Sequence, residues 1–250
     1  MSPITAPRQM STAKNYEELC LNAVEKILAL SRKAVQNQGR CTIVLSGGST
    51  PAGVYSLMAS PNYSGQFDWK NIHFFLGDER WVLWNSPRSN YKMIMDSLFS
   101  QLDPSLYNFH PIQTNTRDVT ASASLYEKEL ARFFALKPHE FPRFDLVLLG
   151  LGQDGHTASL IPDDPALHES AHLAVEVEAK GYPEKRVTLT LPVLNQAHAV
   201  FFLVSGPDKA QVLQKIIEGK NNFPAGQVNP QHGEVTWFLD QQAASLTRVK

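Results

Sequence analysis

The stretch FDLVLLGLGQDGHTASLIP, residues 144–162, joins an apolar run to a loop that contains glycines, an aspartate and a histidine. The run is apolar on both faces, which predicts a strand that is buried on both sides, as in a parallel sheet. Runs of this kind recur along the chain. They predict strands at residues 41–46, 71–78, 144–150, 186–191, 198–206 and 234–240.

Helical patterns lie between these runs. The spacing of apolar residues predicts helices at 16–30, 51–59, 90–102, 119–134 and 207–218, with a short terminal helix after the last strand. Strands that alternate with helices predict an α/β fold, with a mainly parallel central sheet and helices on both faces. Since no linker rich in Gly, Ser or Pro divides the chain, we expect one domain over 13–250, preceded by a flexible segment over 1–12.

Charge and composition exclude several classes of partner. The 250 residues carry a formal net charge of -1, and no run rich in Lys or Arg could hold a nucleic-acid backbone. The first dozen residues lack the apolar core of a secretory signal, and no apolar run approaches the roughly 18 to 20 residues of a membrane span. Cys20 and Cys41 fit reduced core thiols better than a disulfide. We therefore expect no nucleic-acid or membrane partner and a cytoplasmic location.

The loop after the first predicted strand has the features of a phosphate site. In LSGGSTPAGVY, residues 45–55, Gly47 and Gly48 are followed by Ser49 and Thr50 at a helix start. Glycine lets an anion approach the backbone closely, and free N–H groups at a helix N-terminus favour negative charge. The alternative is an ordinary turn between strand and helix, with Thr50 as the N-cap.

Charged residues follow the next strand in GDERW, residues 77–81. Arg80 can bind a phosphate through two nitrogens, with Asp78 or Glu79 fixing its angle. The alternative is a solvated charge cluster. The helix that comes next begins in SPRSNY, residues 86–91, where Arg88 supplies a second cation and Ser89 is the expected N-cap.

The histidine of the opening stretch is the candidate general base. His156 follows Asp154 by two residues in a tight glycine turn, so the carboxylate can orient the ring or raise its basicity. A structural role for His156 is the alternative. Because no serine or cysteine lies in a nucleophile elbow of the form G-x-S-x-G, we expect any hydrolysis to use an activated water. Backbone N–H groups of the glycine turn are the candidate oxyanion donors.

Two motif matches carry little weight. Gly150, Gly152 and Gly155 match the dinucleotide motif G-x-G-x-x-G, but Asp154 would place a carboxylate where the pyrophosphate is expected. HESAH, residues 168–172, matches the zinc motif H-E-x-x-H, but the segment is too short for a long zinc-bearing helix and no third ligand is evident. A surface turn with its histidines in water is the better interpretation.

Taken together, LSGGSTP, GDERWV, SNY, GLGQDGHTASLIP and RVTLTLPVLN, in this order and at these spacings, closely resemble the 6-phosphogluconolactonases of the pentose phosphate pathway. The resemblance runs from about residue 16 to residue 245. It implies a fold shared with glucosamine-6-phosphate deaminases and ribose-5-phosphate isomerases. It also implies hydrolysis of 6-phospho-D-glucono-1,5-lactone, a sugar-phosphate lactone, without a metal or other cofactor.

The resemblance also implies roles for individual residues. His156, supported by Asp154, would act on the lactone. The residues expected to bind substrate are Gly47, Gly48, Ser49, Thr50, Asp78, Arg80, Ser89, Asn90, Gly155 and Arg186. Family members often have a lysine in a proline-rich segment before the RVTLTL strand, whereas this chain reads EAKGYPEKRVTLTL. Lys180, Lys185 or Arg186 could supply that cation, and Arg186 matches the pattern most directly.

Two alternatives to the lactonase stay open at this point. One is a sugar-phosphate deaminase or isomerase on the same fold, which product analysis would separate. The other is a non-catalytic sugar-phosphate sensor, although no helix-turn-helix or basic extension is apparent before Tyr16. For assembly we expect a monomer or a weak homo-oligomer.

Overall fold

The order of the strands decides where the loops of this chain meet. The computed structural model describes residues 8–178, 181–219 and 223–247. Over these ranges the strands are β1 Arg8–Ala13, β2 Cys41–Leu45, β3 Ile72–Leu76, β4 Asp78–Arg80, β5 Asn108–His110, β6 Leu146–Leu149, β7 Ala174–Val177, β8 Arg186–Leu189, β9 Ala199–Val204 and β10 Glu234–Asp240. Seven of them form one sheet in the order β1-β10-β9-β6-β2-β3-β5, and every neighbouring pair in it is parallel.

The three inner strands β2, β6 and β9 are buried at every position, as their apolar character on both faces requires. Helices cover the sheet and separate its strands along the chain. They are α1 Tyr16–Gln38, α2 Ser49–Ala59, α3 Asn90–Ser97, α4 Val119–Phe133, α5 Leu191–Leu194, α6 Ala210–Ile217 and α7 Pro224–Gln227. The prediction of an α/β fold with a mainly parallel central sheet is confirmed.

Several helix ends differ from the prediction. The first helix continues to Gln38, where Gly39 ends it in the left-handed conformation at φ 76°. The helix predicted over 90–102 ends at Ser97 and is followed by a 3₁₀ turn, Phe99–Gln101. The terminal helix predicted after the last strand is wrong, because residues 241–246 form turns.

The N-terminal segment is more ordered than its sequence suggests. The prediction of a flexible segment over 1–12 is wrong for residues 8–12, which belong to β1 and pair in parallel with β10, Met10 opposite Trp237. The reason is long-range pairing, since RQMSTA has few apolar residues of its own. Residues 1–7 lie outside the described residues.

The strand predicted at 186–191 lies in a second sheet and not in the main one. β8 pairs antiparallel with both β4 and β7, in the order β4-β8-β7. This small sheet places Arg80 on β4 directly opposite Arg186 on β8. Glycine 77 is the single residue between β3 and β4, so the small sheet begins where the main sheet ends.

Two buried tyrosines fix the carboxyl ends of β2 and β3. The Tyr55 hydroxyl accepts from the Ser46 N–H at 2.9 Å and lies 3.0 Å from its carbonyl, to which it donates. The Tyr126 hydroxyl does the same with Leu76, at 2.9 and 2.8 Å. Because buried backbone groups are costly to leave unpaired, these hydroxyls stabilise the points from which the site loops leave the sheet.

Among the described residues, no helix combines the length and the apolar character needed to cross a membrane. Cys20 and Cys41 are both buried and both free thiols.

Candidate active site

A cleft of about 240 Å³ opens at the carboxyl edge of the main sheet. Parallel strands bring the loops at their carboxyl ends to one edge, which is where open α/β sheets bind ligands. Nine of the residues predicted to act on or bind the substrate line this cleft: Gly47, Gly48, Ser49, Thr50, Asp78, Arg80, Asn90, His156 and Arg186. The structure therefore brings together loops that lie up to 139 residues apart in sequence, from Gly47 to Arg186.

The first turn of α2 offers unpaired backbone N–H groups to the cleft. Gly48, at φ 111°, is the residue before the helix, and no side chain caps it. The expected N-cap role of Thr50 is wrong, because Thr50 lies inside the first turn. The Tyr16 hydroxyl supports this turn from behind, 3.0 Å from the Ser49 carbonyl and 3.2 Å from that of Thr50. This exposed helix start can hold an anion.

Glycine is required at position 47 because the chain passes against Asn90. A Cβ there would lie 2.1 Å from Asn90 Oδ1. That oxygen accepts from Arg80 Nη1 at 3.1 Å, while Asn90 Nδ2 donates to the Asp78 carbonyl at 2.9 Å. Asn90 therefore connects the glycine loop with the loop that carries Arg80.

A fully buried carboxylate, Glu79, holds the start of α3. Its four hydrogen bonds come from the N–H groups of Arg80, Asn90 and Tyr91 and from the Ser89 hydroxyl, at 2.7 to 3.0 Å. Burial raises the pKa of Glu79, whereas these four donors act in the opposite direction. Because four donors point at two oxygens, the group is bound as the carboxylate. A negative charge at a helix N-terminus is also favoured by the helix dipole.

The prediction that Asp78 or Glu79 fixes the Arg80 guanidinium is wrong in its detail. Among the described residues, no ion pair joins Arg80 to a carboxylate, and its Nη1 donates instead to the Arg88 carbonyl at 2.8 Å and to Asn90. Asp78 accepts from the Ser159 hydroxyl at 2.6 Å. Neutral groups thus orient the guanidinium, so its positive charge remains available to a ligand.

Arg186 brings a second guanidinium into the same cleft. It is 7% exposed, and its Nη1 donates to Ser159 Oγ at 3.3 Å. Burial lowers the pKa of Arg186, Asp78 acts against that shift, and the charge of Arg80 lowers the pKa further. Like charges directly opposite on antiparallel strands repel each other, so an anion bound between Arg80 and Arg186 would stabilise both.

His156 reaches the cleft with one ring nitrogen already engaged. Its Nδ1 lies 2.6 Å from Asp154 Oδ1, and the Tyr182 hydroxyl donates to Asp154 Oδ2 at 2.8 Å. We assign the ring proton to Nδ1, which leaves Nε2 as the acceptor. Burial acts to raise the pKa of Asp154, but hydrogen bonds from His156 and Tyr182 outweigh it and hold that pKa well below its ordinary value. Burial, followed by the hydrogen bond to Asp154, raises the pKa of Tyr182 to about 12.

Comparison with known proteins identifies the relatives of this fold and site. A family model described as glucosamine-6-phosphate isomerases/6-phosphogluconolactonase matches residues 14–237. The chain belongs to this family. A 6-phosphogluconolactonase from Synechocystis sp. is 40% identical over 243 residues, which are 96% of this chain and 98% of the relative. Another from Nostoc sp. is 37% identical, over 92% of this chain and 95% of the relative. The solved structure of 6-phosphogluconolactonase from Trypanosoma cruzi superposes with a TM-score of 0.88 at 28% identity and covers 100% of both chains.

Three residues assigned to the site from the sequence lie outside the cleft of this family member. Asp154 contacts His156 but lines a shallower, more open hollow beside the cleft. Ser89 is the N-cap of α3, where its hydroxyl accepts from the Lys92 N–H and donates to Glu79. Gly155 is buried in the turn at φ 84°, where a Cβ would lie 2.3 Å from the Phe223 ring. Ser89 and Gly155 both hold local structure and do not line the cleft, so their substrate contacts stay predictions.

The structure distinguishes between the candidate cations at the RVTLTL strand. Lys185 is exposed and forms an ion pair with Glu178 at 2.6 Å, whereas Arg186 lines the cleft. Lys180 lies outside the described residues. Lys209, which the sequence reasoning missed, lines both the cleft and the hollow beside it. Its signal was a cation at a helix start directly after the buried strand β9.

Two N–H groups of the glycine turn form hydrogen bonds within the turn itself. The Gly152 N–H donates to the His156 carbonyl at 2.9 Å, and the Gly155 N–H donates to the Gly152 carbonyl at 3.0 Å. The N–H groups of Gly152 and Gly155 are therefore already paired, and the oxyanion role of the turn stays a prediction. After β6 the chain forms turns over 153–159 and not the helix that a dinucleotide motif requires.

HESAH is a surface turn, as predicted. A 3₁₀ turn ends at His168, and Glu169 Oε1 then accepts from the N–H groups of Ser170, Ala171 and His172. Both histidines are exposed. In the part of the chain that the structure describes, no group of three or more His, Cys, Asp or Glu residues could hold a metal ion.

Asp154→Asn is expected to destabilise the fold at neutral pH and to have a smaller effect in acid. A carboxyl whose folded-state pKa is depressed stabilises the fold above the ordinary aspartate pKa of about 3.9, and this contribution is lost as the pH falls. Urea unfolding of both proteins at neutral pH and at about pH 3 measures it. Asp96→Asn, at an exposed carboxylate, is the control. An effect of Asp154→Asn that is equal at both pH values contradicts the assignment.

Proposed function

We propose that this chain hydrolyses 6-phospho-D-glucono-1,5-lactone to 6-phosphogluconate in the oxidative pentose phosphate pathway. The observation that carries the proposal is the paired guanidinium groups of Arg80 and Arg186, in one cleft with the exposed start of α2 and with His156. Such a cleft fits a substrate with a phosphate at one end and a water-sensitive group at the other. The relatives named 6-phosphogluconolactonase, at 40% and 37% identity over nearly the whole chain, support the same activity.

The phosphate binds, in this proposal, between the first N–H groups of α2 and the two guanidiniums. Helix N-termini favour anions, and guanidinium groups bind phosphate oxygens in pairs. Lys209 adds a positive charge at the border of the cleft and the hollow beside it. Binding the phosphate at this end fixes the position of the lactone carbonyl relative to His156.

The chemical step is attack of water on C1 of the lactone. His156 Nε2 takes a proton from the water as the new C–O bond forms and C1 becomes tetrahedral. The bond from C1 to the ring oxygen then breaks, and the same histidine returns the proton to that oxygen. Asp154 stabilises the imidazolium that exists between the two transfers. A base of this kind contributes about 10²- to 10⁴-fold to the rate.

Two other functions of the same fold are separated by their products. A deaminase or isomerase would release ammonia or shift a carbonyl, and neither product is 6-phosphogluconate. A sugar-phosphate sensor would bind the substrate without turnover. The family model covers both isomerase and lactonase relatives, so product analysis is the discriminating measurement.

We also propose that the chain acts in the cytoplasm, as a monomer or weak homo-oligomer, with the sugar-phosphate lactone as its small-molecule partner. Two buried free thiols fit a reducing compartment.

His156→Ala is expected to lower kcat by about 10²- to 10⁴-fold, because the variant lacks the base that activates water. The assay follows loss of lactone generated in situ against its spontaneous hydrolysis, with a chelator present throughout. His168→Ala, at an exposed histidine in the HESAH turn, is the matched control and is expected to retain full activity. A folded His156→Ala protein with unchanged kcat would show that the base is misassigned, and a folded wild type without acceleration would overturn the lactonase proposal.

Arg186→Gln is expected to raise KM for the lactone by roughly 10- to 100-fold, since hydrogen bonds to charged groups contribute about 1.5 to 3 kcal/mol. Inhibition by inorganic phosphate is expected to weaken in parallel. Lys185→Gln, one residue earlier and paired outside the cleft with Glu178, is the control and should leave both constants unchanged. If Lys185→Gln raises KM and Arg186→Gln does not, the family's cation lies at Lys185 in this chain.

A further inference from the structure

Tyr182 lies in the loop before β8, and packing holds its ring in one position. The ring packs against a small apolar cluster formed by Ile161, Ala166 and Val177, apart from the main core. The loop on its C-terminal side is fastened at two points. Glu184 forms an ion pair with Arg88, and the Trp81 N–H donates to the Lys185 carbonyl at 2.8 Å. The tyrosine is therefore held in place by contacts that do not involve its hydroxyl.

The hydroxyl of this fixed ring points at the histidine and its carboxylate. It donates to Asp154 Oδ2 at 2.8 Å and lies 3.2 Å from His156 Nδ1. The two rings meet edge to face, with centroids 5.8 Å apart and an interplanar angle of 88°. Each oxygen of Asp154 thus has its own partner, the imidazole on Oδ1 and the phenol on Oδ2.

The ring of Tyr182 also contacts a guanidinium that lines the cleft. The Arg186 guanidinium carbon lies 4.9 Å from the centroid of the Tyr182 ring, within the range of a cation–π contact. The residue therefore bridges a guanidinium proposed to bind phosphate and the histidine proposed to activate water. These two groups must keep a constant separation if the phosphate is to place the lactone carbonyl at the base.

We propose that Tyr182 is a positioning residue for the reaction, one that locks Asp154 and thereby holds His156 with Nδ1 protonated and Nε2 free for water. The inference rests on the proposed function for the role of His156. The phenol prevents Asp154 Oδ2 from competing for the imidazole, because that oxygen is already hydrogen-bonded. By donating to the carboxylate, it also withdraws part of the negative charge that stabilises the imidazolium.

Among the described residues, the hydrogen bonds of the Tyr182 hydroxyl go to Asp154 and His156 and to no other charged group around them. Lys209 shares the hollow with Asp154, His156 and Tyr182, and Asp208 pairs with Lys209 at 3.0 Å. Arg186 faces the tyrosine ring and not its hydroxyl. Tyr182→Phe keeps the ring, its apolar contacts and its contact with Arg186. The variant therefore tests the contribution of the hydroxyl alone.

Tyr182→Phe is expected to lower kcat about tenfold, with KM within about twofold of wild type, as is typical when a partner of a reacting group is lost. The acid limb of its pH–rate profile is expected to move to higher pH, because Asp154 then exerts its full charge on His156. Tyr63→Phe removes the hydroxyl of a half-buried tyrosine that contacts Glu25 away from the cleft, and it is the matched control. Tyr182→Ala, which also loses the ring against Arg186, should raise KM as well.

An NMR titration of the imidazole signals provides a readout that does not depend on turnover. The His156 signal is identified by its loss in His156→Ala, and its titration midpoint should move to higher pH in Tyr182→Phe and not in Tyr63→Phe. A Tyr182→Phe protein with wild-type kcat, pH profile and His156 titration overturns the positioning role alone. So does a fall in kcat with both pH readouts unmoved. A wild type that does not accelerate lactone hydrolysis overturns the proposed function, and the role of Tyr182 in the reaction with it.

Discussion

The buried carboxylate of Glu79 is the interaction on which the geometry of the cleft depends. It accepts four hydrogen bonds, and three of them come from the first residues of α3 and its N-cap. This ties β4 to the start of the helix. The one buried charge therefore positions both Arg80, on β4, and Asn90, on α3, at the cleft. Asn90 in turn lies against Gly47, where a Cβ would collide with the Asn90 amide. A carboxylate without access to solvent is stable only when its oxygens are satisfied, so the four donors must stay together.

The small antiparallel sheet adds the residues that make the carboxyl edge of the main sheet a specific site. The parallel strands alone bring the loop of Gly47 and Gly48 and the turn of His156 to one edge of the main sheet. β8 adds Arg186 from a distant part of the chain and sets it opposite Arg80. Two guanidiniums held this close, in part by neutral partners, carry an electrostatic cost that a bound anion removes. In the proposed function, this arrangement prepares the cleft for a phosphate before the substrate arrives.

Local sequence patterns predicted the parts of this structure that local physics decides. The buried runs at β2 and β6 are apolar on both faces, and the loops at their carboxyl ends, with the loop after β3, could be selected as the site from the sequence. What could not be predicted depends on contacts between distant residues. β1 has no apolar pattern and exists because it pairs with β10. Glu79 resembled a solvated charge in the sequence, and only the approach of α3 makes it a buried carboxylate. Tyr182 and Asp154 are 28 residues apart, so their hydrogen bond left no signal in the sequence.

The orientation of the substrate is the central claim, and a crystal structure of the chain with 6-phosphogluconate tests it most directly. The account predicts that the phosphate accepts hydrogen bonds from the first N–H groups of α2 and from Arg80 and Arg186. It also predicts that the C1 carboxylate lies about 2.6 to 3.2 Å from His156 Nε2, where the lactone carbonyl and its attacking water would be. A product bound with its phosphate at His156 and its C1 carboxylate between the arginines, or bound outside the cleft, would contradict it.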